Sequence, residues 1–423
     1  MSNLAHMQID PPPMPAEDAQ AAPVMKPVPR ITIHAFCEHP ETGSIIQRAG
    51  EDRRLSKAHL TVHMGGMRAA AEFYQQTATP NLILVETLAG GNELFGHLAS
   101  LAEVCDAGTK VVVLGHLNDV SVYREMIRQG VNEYLVTPLS PIQIIEAVSR
   151  LYVDPDAPPI GRSIAFMGAK GGTGSSTIAH NVGWCISTRM NEDVIITDLD
   201  LAFGTAGLDF NHDPAQGIAD ALMAPERLDD VLLDRLLVKC SDHLSLFAAP
   251  AVLDRDLDMD SESFESVLEI VRETVPCVIV DLPHIWSPWT KKLLMSADEI
   301  VITATPDLAS LRNAKNIIDL AKQTRSNDGM PHLVINQVGV PKRPEIPVKD
   351  FAEAIGIEPT LVLPFNPGLF GAAANNGQMI EELDPKNKAT EGMRYLAKQL
   401  CGRDPMPIKA AKKSFLQRLA RKG

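Results

Sequence analysis

At 423 residues, 45% of them hydrophobic, the chain can fill two sizeable cores, and its six widely separated cysteines, with no C-x-x-C, read as small buried hydrophobes rather than a disulfide or metal framework. A formal net charge of −14 argues against a general nucleic-acid binder, and no apolar run approaches the ~20 residues that a membrane-crossing helix needs. The opening MSNLAHMQIDPPPMP is polar and proline-rich and lacks the layout of a secretory signal, so a cytoplasmic protein is expected.

Residues 1–29 hold seven prolines and little that could fill a core, which predicts a disordered lead-in. Regular structure is expected from RITIHAF (30–36), a strand-like run of alternating β-branched residues. PNLILVET (80–87), KVVVLGH (110–116) and NEYLVTP (132–138) are short apolar runs suited to strands buried on both faces. VSVYREMIRQG (120–130) has helical spacing and a glycine stop, and SPIQIIEAVSRLY (140–152) is an amphipathic helix with serine and proline at its start. The alternation predicts an α/β domain over 30–152, an open parallel sheet with helices on both faces.

VDPDAPPIGR (153–162) reads as a linker. A second α/β domain is expected over 163–402, with strands in SIAFMGA (163–169), DVIITDLD (193–200), CVIVDLP (277–283), EIVITATP (299–306), HLVINQV (332–338) and TLVLPF (360–365). Its first strand runs into FMGAKGGTGSSTIAHN (166–181), a glycine-rich turn followed by a helix. Backbone amides of such a turn approach phosphates closely, and the helix N-terminus adds its dipole. Ser176 would offer a hydroxyl to Mg²⁺, while Ser175 stands where a hydrolysing loop carries lysine.

Lys170 precedes the paired glycines, and this loop resembles the deviant P-loop of the ParA/MinD family, K-G-G-x-G-K-[ST]. The resemblance implies an ATP site built from Lys170, Gly171, Gly172, Thr173, Gly174, Ser175, Ser176 and Thr177. It also implies that Lys170 reaches the phosphates of a partner chain in a nucleotide-sandwiched homodimer. IITDLDLAFG (195–204) matches the family's D-x-D, which gives Asp200 the attacking water and a share in the metal. VIVDLP (278–283) matches the Walker B strand, with Asp281 at the Mg²⁺ position. VINQV (334–338) and LPFNP (363–367) place Asn336 and Pro364 at the adenine. KGGTGSSTIAHNVGW, DLDLAFGTAGLDFN, GIADAL and AAANNGQMIEE narrow the resemblance to the CpaE/TadZ branch, proteins of tight-adherence (Flp-type) pilus assembly. Members of that branch commonly lack the second lysine. Serine carries no charge for the transition state, a loss on the order of 3–4 kcal/mol, so ATP binding with slow or absent hydrolysis is expected.

Residues 30–152 resemble the receiver domain of response regulators, with GVNEYLVTP close to that family's glycine-to-K-P segment. The phosphorylation stations correspond to Ala35 and Phe36, Glu86, Gly115 and Thr137, none of the required type. A docking or dimerising module is expected instead, with Glu86 read as a loop carboxylate and Pro138 keeping the family's cis bond.

KAAKKSFLQRLARKG (409–423) carries six basic residues and no acidic one, leaving the rest of the chain at −20. A short amphipathic helix here would bind an anionic membrane or a partner, while a frayed solvated tail is the plain alternative. The acidic body disfavours DNA. The reading is a cytoplasmic, ATP-binding, dimerising localisation factor for pilus machinery, peripheral at the inner membrane or cell pole if the tail docks there. The alternatives are an active MinD- or ParA-type ATPase cycling on membrane or DNA, and a nucleotide-independent scaffold.

Overall fold

The computed structural model describes Met25 and residues 27–152, 160–249 and 259–402. Most of the lead-in, residues 153–159 of the linker and the whole basic tail lie outside the described residues. Two parallel sheets organise the described residues.

The first sheet takes β1 (Thr32–Cys37), β2 (His59–Met64), β3 (Leu82–Glu86), β4 (Lys110–Gly115) and β5 (Glu133–Val136) in the order β2-β1-β3-β4-β5, all parallel. This is the flavodoxin-like order. Every residue of β3 is buried, because helices cover both faces of a central parallel strand. The lead-in ends earlier than the prolines suggest. Val28 is buried and donates its N–H to the Arg54 carbonyl at 2.8 Å, so an apolar residue between two prolines joins the core.

The second sheet has eight strands: β6 (Arg162–Gly168), β7 (Val194–Asp198), β8 (Val238–Ser241), β9 (Leu244–Phe247), β10 (Cys277–Leu282), β11 (Glu299–Ala304), β12 (His332–Val338) and β13 (Leu361–Pro364). Their order is β13-β12-β11-β6-β10-β7-β9-β8, with β8 antiparallel to β9 and the other pairs parallel. β6 opens at Arg162, the last residue of the expected linker, because Arg162 N–H already bonds the Pro276 carbonyl at 2.8 Å. β6 lies between β10 and β11, which puts its C-terminal end in the crevice where open α/β sheets bind ligands. The helix Ser175–Met190 covers one face and packs against the helix Lys388–Cys401.

Arg53 joins the two domains. Its guanidinium donates to the Ser296 carbonyl at 2.9 Å, to Asp328 Oδ2 at 2.9 Å and to Asp298 Oδ1 at 3.1 Å. Arg54 adds ion pairs to Asp328 and Asp52, and Asn327 donates to Asp52 at 3.0 Å. Asp298 and Asp328 are almost fully buried, and each is matched by more than one arginine, as buried charge requires.

Candidate nucleotide-binding site

The loop after β6 is shaped by its own backbone. Gly174 adopts φ +82°, and a Cβ there would sit 2.7 Å from Asn336 Nδ2, so conformation and space both demand glycine. The helix then starts at Ser175 with no side chain capping it and no acidic residue in its first turn. By contrast, the helices beginning at Leu308 and Lys388 are capped by Asp307 and Asn387. Three neighbours hold the loop. Asn336 Nδ2 donates to the Thr173 carbonyl at 2.8 Å, Gln337 Nε2 to Gly172 at 3.0 Å and Asn313 Nδ2 to Ala169 at 2.9 Å. Asn336 is buried and committed to the loop, a contact the adenine assignment did not anticipate.

Lys170 is held on its own chain. Its Nζ lies 2.6 Å from Asp307 Oδ2, which also accepts from Thr305 Oγ1 at 2.6 Å. Burial alone would raise the Asp307 carboxyl, but Lys170, Thr305 and the Ser310 N–H together bring it down to about 2. Ser175 is buried and its hydroxyl has no hydrogen-bond partner. Ser176 and Thr177 follow, partly exposed, in the first turn.

The carboxylates gather at the ends of β7 and β10. Asp198 and Asp281 are paired residues of adjacent strands, and both are buried. Burial first, then the Asp281 charge, pushes the Asp198 carboxyl up to about 7. Asp198 accepts from the N–H groups of Asp200 and Ala206, both at 3.1 Å, and so shapes the loop that carries Asp200. Asp200 itself is partly exposed and accepts from Phe203 N–H at 3.1 Å. Asp281 Oδ1 is buried and has no partner. His180, fully buried on the loop helix, stands between acids. Its Nδ1 is 2.7 Å from Asp209 Oδ2, and its Nε2 is 3.3 Å from Asp281 Oδ2, near enough for an ion pair but off hydrogen-bond geometry. Burial opposes charge on this ring, yet the two carboxylates outweigh it and raise His180 to about 10.

The orphaned Ser175 hydroxyl and Asp281 Oδ1, beside an uncapped helix N-terminus, fit an anionic ligand with a divalent ion. Among the described residues no group of three or more His, Cys, Asp or Glu side chains could hold a metal alone. Mg²⁺ of a nucleotide needs only one or two carboxylates beside the phosphates.

Residues 161–333 match the family model of an AAA domain. A pilus assembly protein CpaE from Caulobacter crescentus, of solved structure, is 54% identical, covering 30% of this chain and 98% of that one, with a TM-score of 0.30. The chain belongs to the CpaE family. That membership rests on the identity, not on the superposition. A ParA family ATPase from Chlorobium tepidum is 26% identical over 56% of this chain and 98% of its own, with a TM-score of 0.51. The septum site-determining protein MinD of Synechocystis is 24% identical over 273 residues, 62% of this chain and 98% of that protein. The second domain therefore has the ParA/MinD-like P-loop fold expected from its motifs.

In this CpaE-family chain the first domain departs from the expectation at two stations. Glu86 is not a loop carboxylate: it ends β3 and is buried. Its oxygens accept from Glu38 N–H at 2.7 Å, His39 N–H and Nδ1 at 2.9 Å, and Thr42 Oγ1 at 2.7 Å. Burial alone would raise this carboxyl, but those donors hold it below the usual range. Ala35 and Phe36 lie inside β1 and are buried, and the acid that follows the strand is Glu38. The Thr137–Pro138 bond is cis. A cavity of about 330 Å³ opens beside Glu86, Thr42, Thr137 and Pro138.

Proposed function

We propose that this chain binds ATP with Mg²⁺, dimerises around the nucleotide and serves as a localisation and assembly factor for pilus machinery, with slow or absent hydrolysis. The observation that carries the reading is an intact phosphate turn feeding an uncapped helix at which the lysine position holds a buried, unpartnered serine. The amides from Gly171 to Thr177 would cradle the phosphates. Ser176 and Asp281 would hold the metal, with Asp200 near the attacking water and assisting at the metal. Mg²⁺ would supply charge neutralisation at the β- and γ-phosphates. Asn336 and Pro364 would border the base, with Asn336 still anchoring Thr173.

Self-association draws support from the surface around the site. Phe203, Leu208, Ile285, Trp286 and Leu308 are 53–72% exposed, and all follow site loops at the C-terminal end of the sheet. Large exposed apolar side chains on these segments fit an interaction face. Lys170 would exchange Asp307 for the partner's phosphates when that face closes. Pilus machinery as partner follows the C. crescentus relative, whose name is that of a pilus assembly protein. A cytoplasmic location is in keeping with helices none of which, among the described residues, is long and apolar enough to cross a membrane.

Light scattering during titration with ATP–Mg²⁺, beside Lys170→Ala, tests this reading. ATP-dependent doubling of mass in the wild type but not in the variant is the expected result. Absence of both binding and dimers would overturn it in favour of a scaffold with a relic loop.

A further inference from the structure

His180 touches neither the glycine turn nor the exposed face, yet it connects two parts of the site. Asp281 sits on β10, whereas Asp209 ends the short helix Ala206–Asp209, only nine residues after Asp200. The histidine ring reaches both from the loop helix: Nδ1 to Asp209 Oδ2 at 2.7 Å, Nε2 to Asp281 Oδ2 at 3.3 Å. The ring is completely buried and packs 5.9 Å from Phe210, so it has little room to swing. Its contact engages one oxygen of Asp281 and leaves the other, Oδ1, buried and without a partner. A carboxylate held by an ion pair on one oxygen presents the other in a preferred direction. Outer contacts of this kind orient a metal-binding side chain, and their removal typically costs about 10–100-fold in metal affinity.

We propose that His180 is a positioning residue, which aims Asp281 Oδ1 for the nucleotide's Mg²⁺ and ties that carboxylate to the 200–209 segment carrying Asp200. Three parts of the site meet in one side chain. The helix that begins at the phosphate turn carries it, the Walker B strand supplies one partner, and the Asp200 segment supplies the other. The Ser175 hydroxyl engages none of these acids. The inference rests on the nucleotide reading above.

The test compares ATP affinity in excess Mg²⁺ with that in EDTA, by calorimetry, for wild type, His180→Gln and Asp209→Asn. In the wild type Mg²⁺ tightens ATP binding. In His180→Gln that tightening falls by about 10–100-fold, while the affinity in EDTA stays within roughly twofold, because the amides of the glycine turn are untouched. Asp209→Asn removes the far anchor while keeping the ring, and shifts the Mg²⁺ effect in the same direction. It also keeps the test alive if the histidine variant does not fold. A purely structural histidine would lower thermal stability and leave the Mg²⁺ effect unchanged; a wild-type Mg²⁺ effect in either folded variant overturns the inference. No ATP binding by the wild type in either buffer would instead overturn the nucleotide reading itself, and this inference with it.

Discussion

Ser175→Lys is the substitution that most directly examines why this site would be slow. Ser175 is the first residue of the helix that follows Gly174, so a lysine there starts from a backbone already shaped for a phosphate loop. The serine hydroxyl has no hydrogen bond to lose. What the lysine adds is a charge at the transferring phosphate, and transition-state contacts of that kind are worth about 3–4 kcal/mol, or roughly 10²–10³ in rate. Single-turnover phosphate release at saturating ATP–Mg²⁺ is the assay, with ATP affinity measured separately. The expected outcome is a rise of that size in Ser175→Lys, abolished by adding Asp200→Ala. A lysine variant that binds ATP at least as tightly as wild type but turns over no faster would refute the reasoning, since charge at position 175 would then not be what limits the chemistry.

Three further outcomes follow from the charge pairs. Asp307 is held at about 2, chiefly by Lys170 once burial is offset, so its pairing stabilises the fold above the ordinary aspartate range and is lost as pH falls through about 2. In Lys170→Ala, NMR titration of Asp307 should show the midpoint moving upward; an unmoved midpoint would mean that the lysine is not the partner in solution. Glu86→Ala should cost the first domain about 1.5–3 kcal/mol in urea unfolding, the scale of one hydrogen bond to a charged group, or more because four donors are orphaned. Since Glu86 is depressed, the gap between variant and wild type is full above the ordinary glutamate range and closes as pH falls through the lowered value; a gap that widens in acid would contradict the assignment. Arg53→Ala takes one arginine from each of Asp298 and Asp328, which keep Arg272 and Arg54 with Arg325, so the loss at the domain junction should stay below the ~3–5 kcal/mol of a fully orphaned buried charge, and small-angle scattering should report a larger radius of gyration.

Most of the strands that sequence reading located are central and buried on both faces, where a continuous apolar run needs no knowledge of the neighbours, while β5 and β13 are short apolar runs at the edges. β2 escaped it because His59–Met64 is a half-exposed edge strand carrying two histidines and a threonine, which gives neither a run nor a clean alternation. The β8–β9 hairpin escaped it because four-residue strands with lysine, cysteine and serine look like loop. The phosphate turn, Asp200 and Asp281 could be proposed from sequence because each stands in a contiguous motif, and the fold gathers them at neighbouring strand ends. Asp198 stands in the same D-x-D as Asp200, yet only the fold shows that it is the buried member that shapes the loop. His180, Asp209 and Asp307 acquire their roles from partners up to 137 positions away, and no local spacing announces them. Glu86 was misread for the same reason, since its donors lie more than forty residues upstream.

The two domains meet at the end of the second sheet remote from the nucleotide loop. Ser163, near the start of β6, donates both N–H and hydroxyl to Asp298, and Asp298 is also where Arg53 of the first domain lands. β6 ends at Gly168, beside the phosphate turn, and β11, which begins one residue after Asp298, ends beside Thr305 and Asp307, where Lys170 is held. Each strand therefore spans from the domain junction to the site, about 20 Å at ~3.3 Å per residue. This geometry separates the two tasks. In the proposed dimer, the exposed apolar side chains near the loop would close on a second copy without displacing the first domain, whose own surface would stay open to a partner; the position of Arg53, at the far end of β6 and β11, is what would keep the two tasks apart.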